Sequence, residues 1–576
     1  MRDIGEFINR IPDNPLRSRV RKRRAEAIIK RAERCYRIGY RNFSQRSSRI
    51  LPMKVSTFQG DLPFAMRLAR KMPVHKISMD EAYRSIRNRL ARYSATSVLN
   101  AALHMLWNPP AGRLEELRSA PWLTMLIVKW ALQDNAVRLQ AGPAITIAEM
   151  DEIRQKLWDM PEHVRDPQPK NIFLMLRSLM HPQVEFQRKE TRNYMRWAAL
   201  YARLPKNGAD RQQFRAAFGM EPDDFLALSY ALYAAVLNGD VPLSRDWMMP
   251  LRATYGDKVD RIFDVFARDM VTLREELQKD PAQRIHGKNE LYEFPYLKRF
   301  PLLQLPNGLI HCWHRLVFAR GAEEIVHLRL SDLFDSKYTA SFSRVFESYV
   351  TELAGESGLS LMDEAEYKRL VGPQMPSVEA IFDGDDDCNV FVEAKLSKFE
   401  DDSIVEDSPL WAHRKMRRVR EALEQGWKVG KVVRENEALA ARFAKREDFL
   451  LIVTSRELFI GGGQALQRLI PEEHRGYPDD AAEHTLPLSN VFVMGIEEFE
   501  RLVGAVRKGE VNLPRLLRDA AMANDDGATS RMFFSDFFRS QVAPTGWTSP
   551  RLIKDAHERV DALIAHAMNL PAAEDV

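Results

Sequence analysis

The spacing of apolar positions changes along the chain, and the change divides it. From about residue 75 to 285 they recur at i, i+3, i+4 and i+7, the stripe of an amphipathic helix. Asp80 to Ala95 is one such helix, with a basic face of Arg84, Arg87, Arg89 and Arg92. Thr96 to Trp107 is a second, ending before Pro109-Pro110, and Trp122 to Asp134 is a third whose apolar run marks it as buried. Phe225 to Leu237 is a fourth, with Asp223 or Asp224 expected as its cap and Asn238-Gly239 as its stop. This half reads as a scaffold or sensor and holds no catalytic constellation. Near residue 290 the pattern shortens to strands. Phe300 to Leu305 and Leu309 to His314 flank Pro306-Asn307-Gly308, a turn whose Asn-Gly supplies positive φ, so a hairpin is expected before Arg315 to Phe334 returns to helix.

Beyond residue 340 the two patterns alternate. Phe342 to Glu356 reads as helix, Leu359 to Tyr367 as a strand, and Val378 to Phe382 and Asn389 to Leu396 as two strands around an acidic turn, Asp383 to Cys388. Glu400 to Asp407 is acidic and loop-like. Ala412 to Gly426 is a helix, Phe449 to Ser455 a buried strand, Asn490 to Met494 another, and Ile496 to Val503 a helix. Gly461-Gly462-Gly463 lacks the Gly-Lys-Ser/Thr of a phosphate loop and reads as a turn. Residues 505 to 576 are helical with loops, Phe533, Phe534, Phe537 and Phe538 forming a packing stripe. The fold class is therefore α+β: a mostly α-helical N-terminal half joined to an α/β domain.

At 576 residues the chain is too long for one ordinary core. Its net charge of +5 hides an asymmetry, because residues 1–50 hold 15 Lys/Arg against 5 Asp/Glu, leaving −5 for the remainder. Within that arm Ala25, Ile28, Ile29, Ala32, Cys35 and Tyr36 make one apolar stripe, while Arg21, Lys22, Arg23 and Arg24 crowd its start. Such a face suits phosphate contacts, and it lacks the large apolar content of a membrane-surface helix. Three distant cysteines fit a reducing cytoplasm, no Cys/His spacing suggests zinc, and no apolar run is long enough for a signal peptide or a bilayer span. A cytoplasmic protein with no membrane partner is expected.

The chemistry concentrates in Pro376 to Leu396. Pairing Phe382 with Val390 sets Glu379 opposite Glu393, and Lys395 shares the Glu393 face while Val392 and Ala394 point away into a core. Two carboxylates directly opposite repel one another. A divalent cation such as Mg²⁺, which takes one or two hard carboxylate oxygens, removes the objection. Further on, Arg414, Arg417 and Arg418 stand at i, i+3 and i+4 of a helix, near enough to grip backbone phosphates.

Glu393-Ala394-Lys395 on an apolar strand, with an acid one strand earlier, resembles the core of the PD-(D/E)XK nuclease superfamily over roughly residues 340 to 505. That resemblance implies a helix, three strands, a helix and a strand, which the segments above supply in order, and it matches Glu347 to an acid on the first helix. The family's Asp after Pro is absent, since Ser377 follows Pro376, so Glu379 takes its role by the pairing argument. Glu379 and Glu393 would then bind Mg²⁺ or Mn²⁺, Lys395 would assist the attacking water, and Glu347 would support the metal site. The function implied is metal-dependent hydrolysis of nucleic acid, DNA favoured over RNA, in defence against phage or foreign DNA, with the helical half available to a protein trigger. The alternative is a nucleic-acid-binding or sensor protein whose nuclease-like fold is inactive. The domain reading is a basic arm (1–50), a helical domain (51–289), a hairpin connector (290–339), the nuclease-like domain (340–505) and a C-terminal helical segment (506–576).

Overall fold

The computed structural model describes residues 77–109, 119–163, 172–187, 192–239, 241–279, 288–384, 388–397, 401–405, 408–445, 447–471, 486–525, 529–542 and 549–567. The basic arm, with Arg21, Lys22, Arg23 and Arg24, lies outside them.

The helices of the first half form at Met79–Leu90, Ala95–Trp107 and Pro121–Gln133; the first ends at Leu90 rather than Ala95, leaving Arg92 in the turn, because Ser94 caps the next helix. Ser78 opens the first with a reciprocal capping box to Glu81. The third is buried almost throughout, and its Lys129 is tolerated because Glu290 is buried beside it. One expectation is corrected at Pro222–Asn238: Pro222 takes the first helical position, so Glu221 is the N-cap, and Asp223 and Asp224 sit in the first turn. The helix stops at Gly239, which is left-handed at φ 80°.

Two sheets follow. The expected hairpin is β2 (Leu302–Gln304) and β3 (Ile310–Cys312), turned by Gly308 at φ 79°. A third strand, β1 (Ala267–Asp269), pairs parallel with β2, too short and too charged to show in the sequence. The larger sheet has the order β4-β5-β6-β7-β9-β8, built from Leu361–Asp363, Ala380–Gly384, Cys388–Lys395, Glu447–Thr454, Gly461–Gly462 (β8) and Val491–Gly495 (β9). β4, β5 and β6 are antiparallel, β6, β7 and β9 run parallel, and β8 pairs antiparallel with β9. Phe382 faces Val390, the expected register.

Both faces of this sheet are covered, which is why β6 and β7 read as continuous apolar runs. Phe382, Val390, Val392, Leu451 and Val453 share a core with Phe346, Tyr349, Val350 and Leu353 of the helix Arg315–Gly355. Ile381, Phe391, Leu450 and Ile452 pack against Val419, Leu423, Val429 and Val433 of Arg417–Glu435. That second helix approaches closely at Gly426, where a Cβ would lie 2.7 Å from Leu450 Cδ2. The first core also takes in helices between Tyr194 and Phe266 and the C-terminal Leu552 and Ile553. A fully buried ion pair crosses it: Arg196 donates to both oxygens of Glu500, at 2.6 and 2.8 Å, and the Tyr349 hydroxyl donates to Glu500 at 2.7 Å.

Several boundaries differ from expectation, each for a local reason. The strand predicted over Leu359–Tyr367 is only β4. Asp363 accepts a bond from the Glu366 N–H at 2.7 Å and starts a helix, Glu364–Val371, with acids in its first turn and bases in its last. The helices expected at Arg315–Phe334 and Phe342–Glu356 are one run bent at Asp335, whose φ of 37° is left-handed. The helix expected over Ala412–Gly426 breaks at Met416, between Pro409–Lys415 and Arg417–Glu435. Asp402–Val405 is a short helix within the expected acidic loop. Gly461 and Gly462 are strand rather than turn, and Gly463 opens a helix.

Candidate active site

β5 begins one residue after Glu379, and extending its register by one step sets Glu379 against Glu393. Strand alternation puts both on the face of Ile381, Phe391 and Ile452, beneath the helix Arg417–Glu435. Glu393 is wholly buried and Glu379 is 9% exposed. Glu379 Oε2 accepts the Ala394 N–H at 2.6 Å, and Lys395 Nζ donates to Glu393 Oε1. The other oxygen, Glu393 Oε2, is buried with no hydrogen-bond partner.

Their titration follows from this packing. Burial first, and then the Glu393 charge, hold Glu379 well above the usual carboxylate range. Burial also raises Glu393, although Lys395 pulls the other way. Burial pulls Lys395 down, but Glu393 outweighs it, with Glu379 and Glu347 adding to the effect, so the amine stays charged and donates. Two facing carboxyls of this kind hold either a shared proton or a cation between them.

Two further side chains fix the arrangement. Gln425 accepts from Lys395 Nζ at 3.3 Å and donates to the Ser377 carbonyl, so the covering helix steadies the lysine and the segment leading into β5. The Ser377 hydroxyl donates to Glu364 at 2.7 Å. Burial acts to raise Glu364, yet the bonds from Lys368 and Ser377 outweigh it and hold it below the usual range. Neither Gln425 nor Glu364 carries a motif. Gln425 had one signal, a polar residue beside Ala422, Leu423 and Gly426 on the apolar face of its helix.

Glu347 is half-buried on the bent helix, and its charge bears on Glu393 and Lys395 without a direct bond among the described residues. Arg414, Arg417 and Arg418 line one cavity of about 520 Å³ whose wall includes Lys395, although a helix break separates the first from the others. Among the described residues no group of three or more His, Cys, Asp or Glu is arranged to hold a metal ion. The two carboxylates, which bond to one another only where they share a proton, nonetheless fit Mg²⁺ in its place, an ion that binds through one or two protein carboxylates and leaves its other positions to water and phosphate oxygens.

No described helix is long and apolar enough to cross a membrane. No family model, curated protein or solved structure matches the chain.

Proposed function

We propose that the chain is a Mg²⁺-dependent nuclease of the PD-(D/E)XK type that hydrolyses phosphodiester bonds, DNA favoured over RNA. The observation that carries this is the facing pair of buried carboxylates, Glu379 and Glu393, with Lys395 bonded to one of them. The element order supports it: a helix, three antiparallel strands, a covering helix, then β7 parallel to β6.

Glu379 and Glu393 are the residues that would hold Mg²⁺ or Mn²⁺, which supplies charge neutralisation at the phosphate and acidifies the attacking water. Lys395, kept charged by Glu393, acts as a donor that orients water or stabilises developing negative charge; it is not a base. Gln425 holds Lys395 in place. Arg414, Arg417 and Arg418 bind phosphate and fix the strand.

Cleavage of plasmid, linear DNA and RNA across a Mg²⁺ titration tests the reading. Glu379→Ala and Glu393→Gln abolish metal-dependent cutting, and Lys395→Ala slows it by roughly 10²–10⁴-fold. A second reading, a nucleic-acid-binding or sensor protein with an inactive fold, is favoured by Ser377 standing where the family carries Asp, engaged with Glu364 instead. Wild-type protein that cuts nothing and gains no thermal stability from Mg²⁺ or Mn²⁺ transfers the assignment to it.

A further inference from the structure

The cavity beside Lys395 is more selective than a phosphate-binding surface needs to be. Six cationic side chains line it, Lys395, Arg414, Lys415, Arg417, Arg418 and Arg420, of which Lys395 is engaged by Glu393 and Arg417 by Glu421 at 3.3 Å, while the one carboxylate in the lining, Asp332, is paired with Arg299 at 2.6 Å. The first turn of Arg417–Glu435 forms part of the wall, adding the positive end of a 19-residue helix. Leu328, Leu396, Met416 and Leu458 supply an apolar portion, and His327 and Tyr338, bonded to each other, supply rings. Cationic and apolar walls together describe a ligand with an anionic end and a flat, poorly hydrated end. The volume, about 520 Å³, lies within the roughly 300–1,000 Å³ of small-ligand pockets.

We propose that this cavity takes one unpaired nucleotide, its phosphate against the arginines and its base against the apolar wall. Resting on the nuclease reading of the adjacent carboxylates, this makes the substrate a single strand or a strand end. A base still paired in an unbroken duplex cannot enter a pocket of this size without being unpaired and turned out of the stack, which is unfavourable. An unpaired base enters without that cost and gains stacking on side chains.

Titration calorimetry on the full chain in EDTA, with deoxyadenosine 5′-monophosphate as probe, tests this without cleavage. The nucleotide binds at least tenfold tighter than inorganic phosphate or deoxyadenosine alone. Arg414→Ala combined with Arg418→Ala, both exposed positions, weakens it by tenfold or more, as does Thr339→Trp, which fills the cavity from another wall. Bound nucleotide is displaced by single-stranded DNA but not by covalently closed duplex; displacement by linear strands and not by single-stranded circles marks a strand-end pocket. Equal binding of phosphate and nucleotide, unchanged binding in both variants, or equal displacement by closed duplex overturns the proposal. Metal-dependent cutting of closed duplex that Glu393→Gln abolishes, without nucleotide binding, would leave the nuclease reading standing and sink this one. Nucleotide binding with no cleavage of any substrate does the reverse.

Discussion

Glu393 costs stability, and the cost has a pH signature. In the folded protein both Glu379 and Glu393 sit above the usual carboxylate range, mainly through burial. An unfolded glutamate titrates near about 4.3. Between that value and the raised folded values the folded state binds more protons than the unfolded one, so stability falls as pH rises through the window. In EDTA, Glu393→Gln therefore melts at or above wild type at pH 8, since glutamine keeps an oxygen for Lys395, and the difference closes towards pH 4.5. On the proposed metal site, Mg²⁺ should raise the wild-type melting temperature and leave the variant unmoved. A variant that melts well below wild type at pH 8 would show that the Lys395 pair outweighs the repulsion.

The elements explain how much of this was legible beforehand. The hairpin register could be read because Val390, Val392 and Ala394 alternate with Phe391, Glu393 and Lys395, and a one-residue slip would turn Glu393 and Lys395 into the apolar core of Phe346 and Val350. The length of β4 could not, because its end is decided by Asp363 reaching forward to cap a helix. The break at Met416 is equally silent, since the apolar period runs through it. Gln425 was missed because its role lies in what the helix covers. Gly426 governs how closely that helix covers it. Gly426→Ala gains about 1 kcal/mol of helix propensity but forces a methyl onto Leu450, an overpacking cost of roughly 1–3 kcal/mol. Net destabilisation in a denaturant melt is expected, partly restored by Leu450→Val, and Lys395-dependent activity falls with it as Gln425 moves. A stabilised Gly426→Ala protein would mean the helix lifts freely.

Across the whole molecule, Arg196 and Glu500 tie the helical half to the layer behind the large sheet. The pair is fully buried and bidentate, with Tyr349 of the bent helix as a third member. Arg196→Met strips Glu500 of its counter-ion and of two hydrogen bonds and should cost about 3–5 kcal/mol, whereas Arg196→Met with Glu500→Leu should recover most of that loss. Melts of the two single variants and the double provide the cycle. Additive losses would mean that the residues act separately.

The same bond sets an order of events during synthesis. Its partners lie 304 residues apart, which at about 5–20 residues per second separates their emergence by roughly 15–60 seconds. Throughout that interval Arg196 lacks Glu500, and between the emergence of residues 395 and 447 β6, with Glu393 and Lys395 already made, still lacks β7 on its other edge. A nascent chain halted before residue 447 should therefore be degraded by dilute protease across 192–203 and 388–395, and one halted well beyond 507 should resist. Protection already present in the shorter chain would show that the first half closes by itself. The facing carboxylates thus lack their finished surroundings until most of the chain has been translated, and whatever chemistry they carry starts only then.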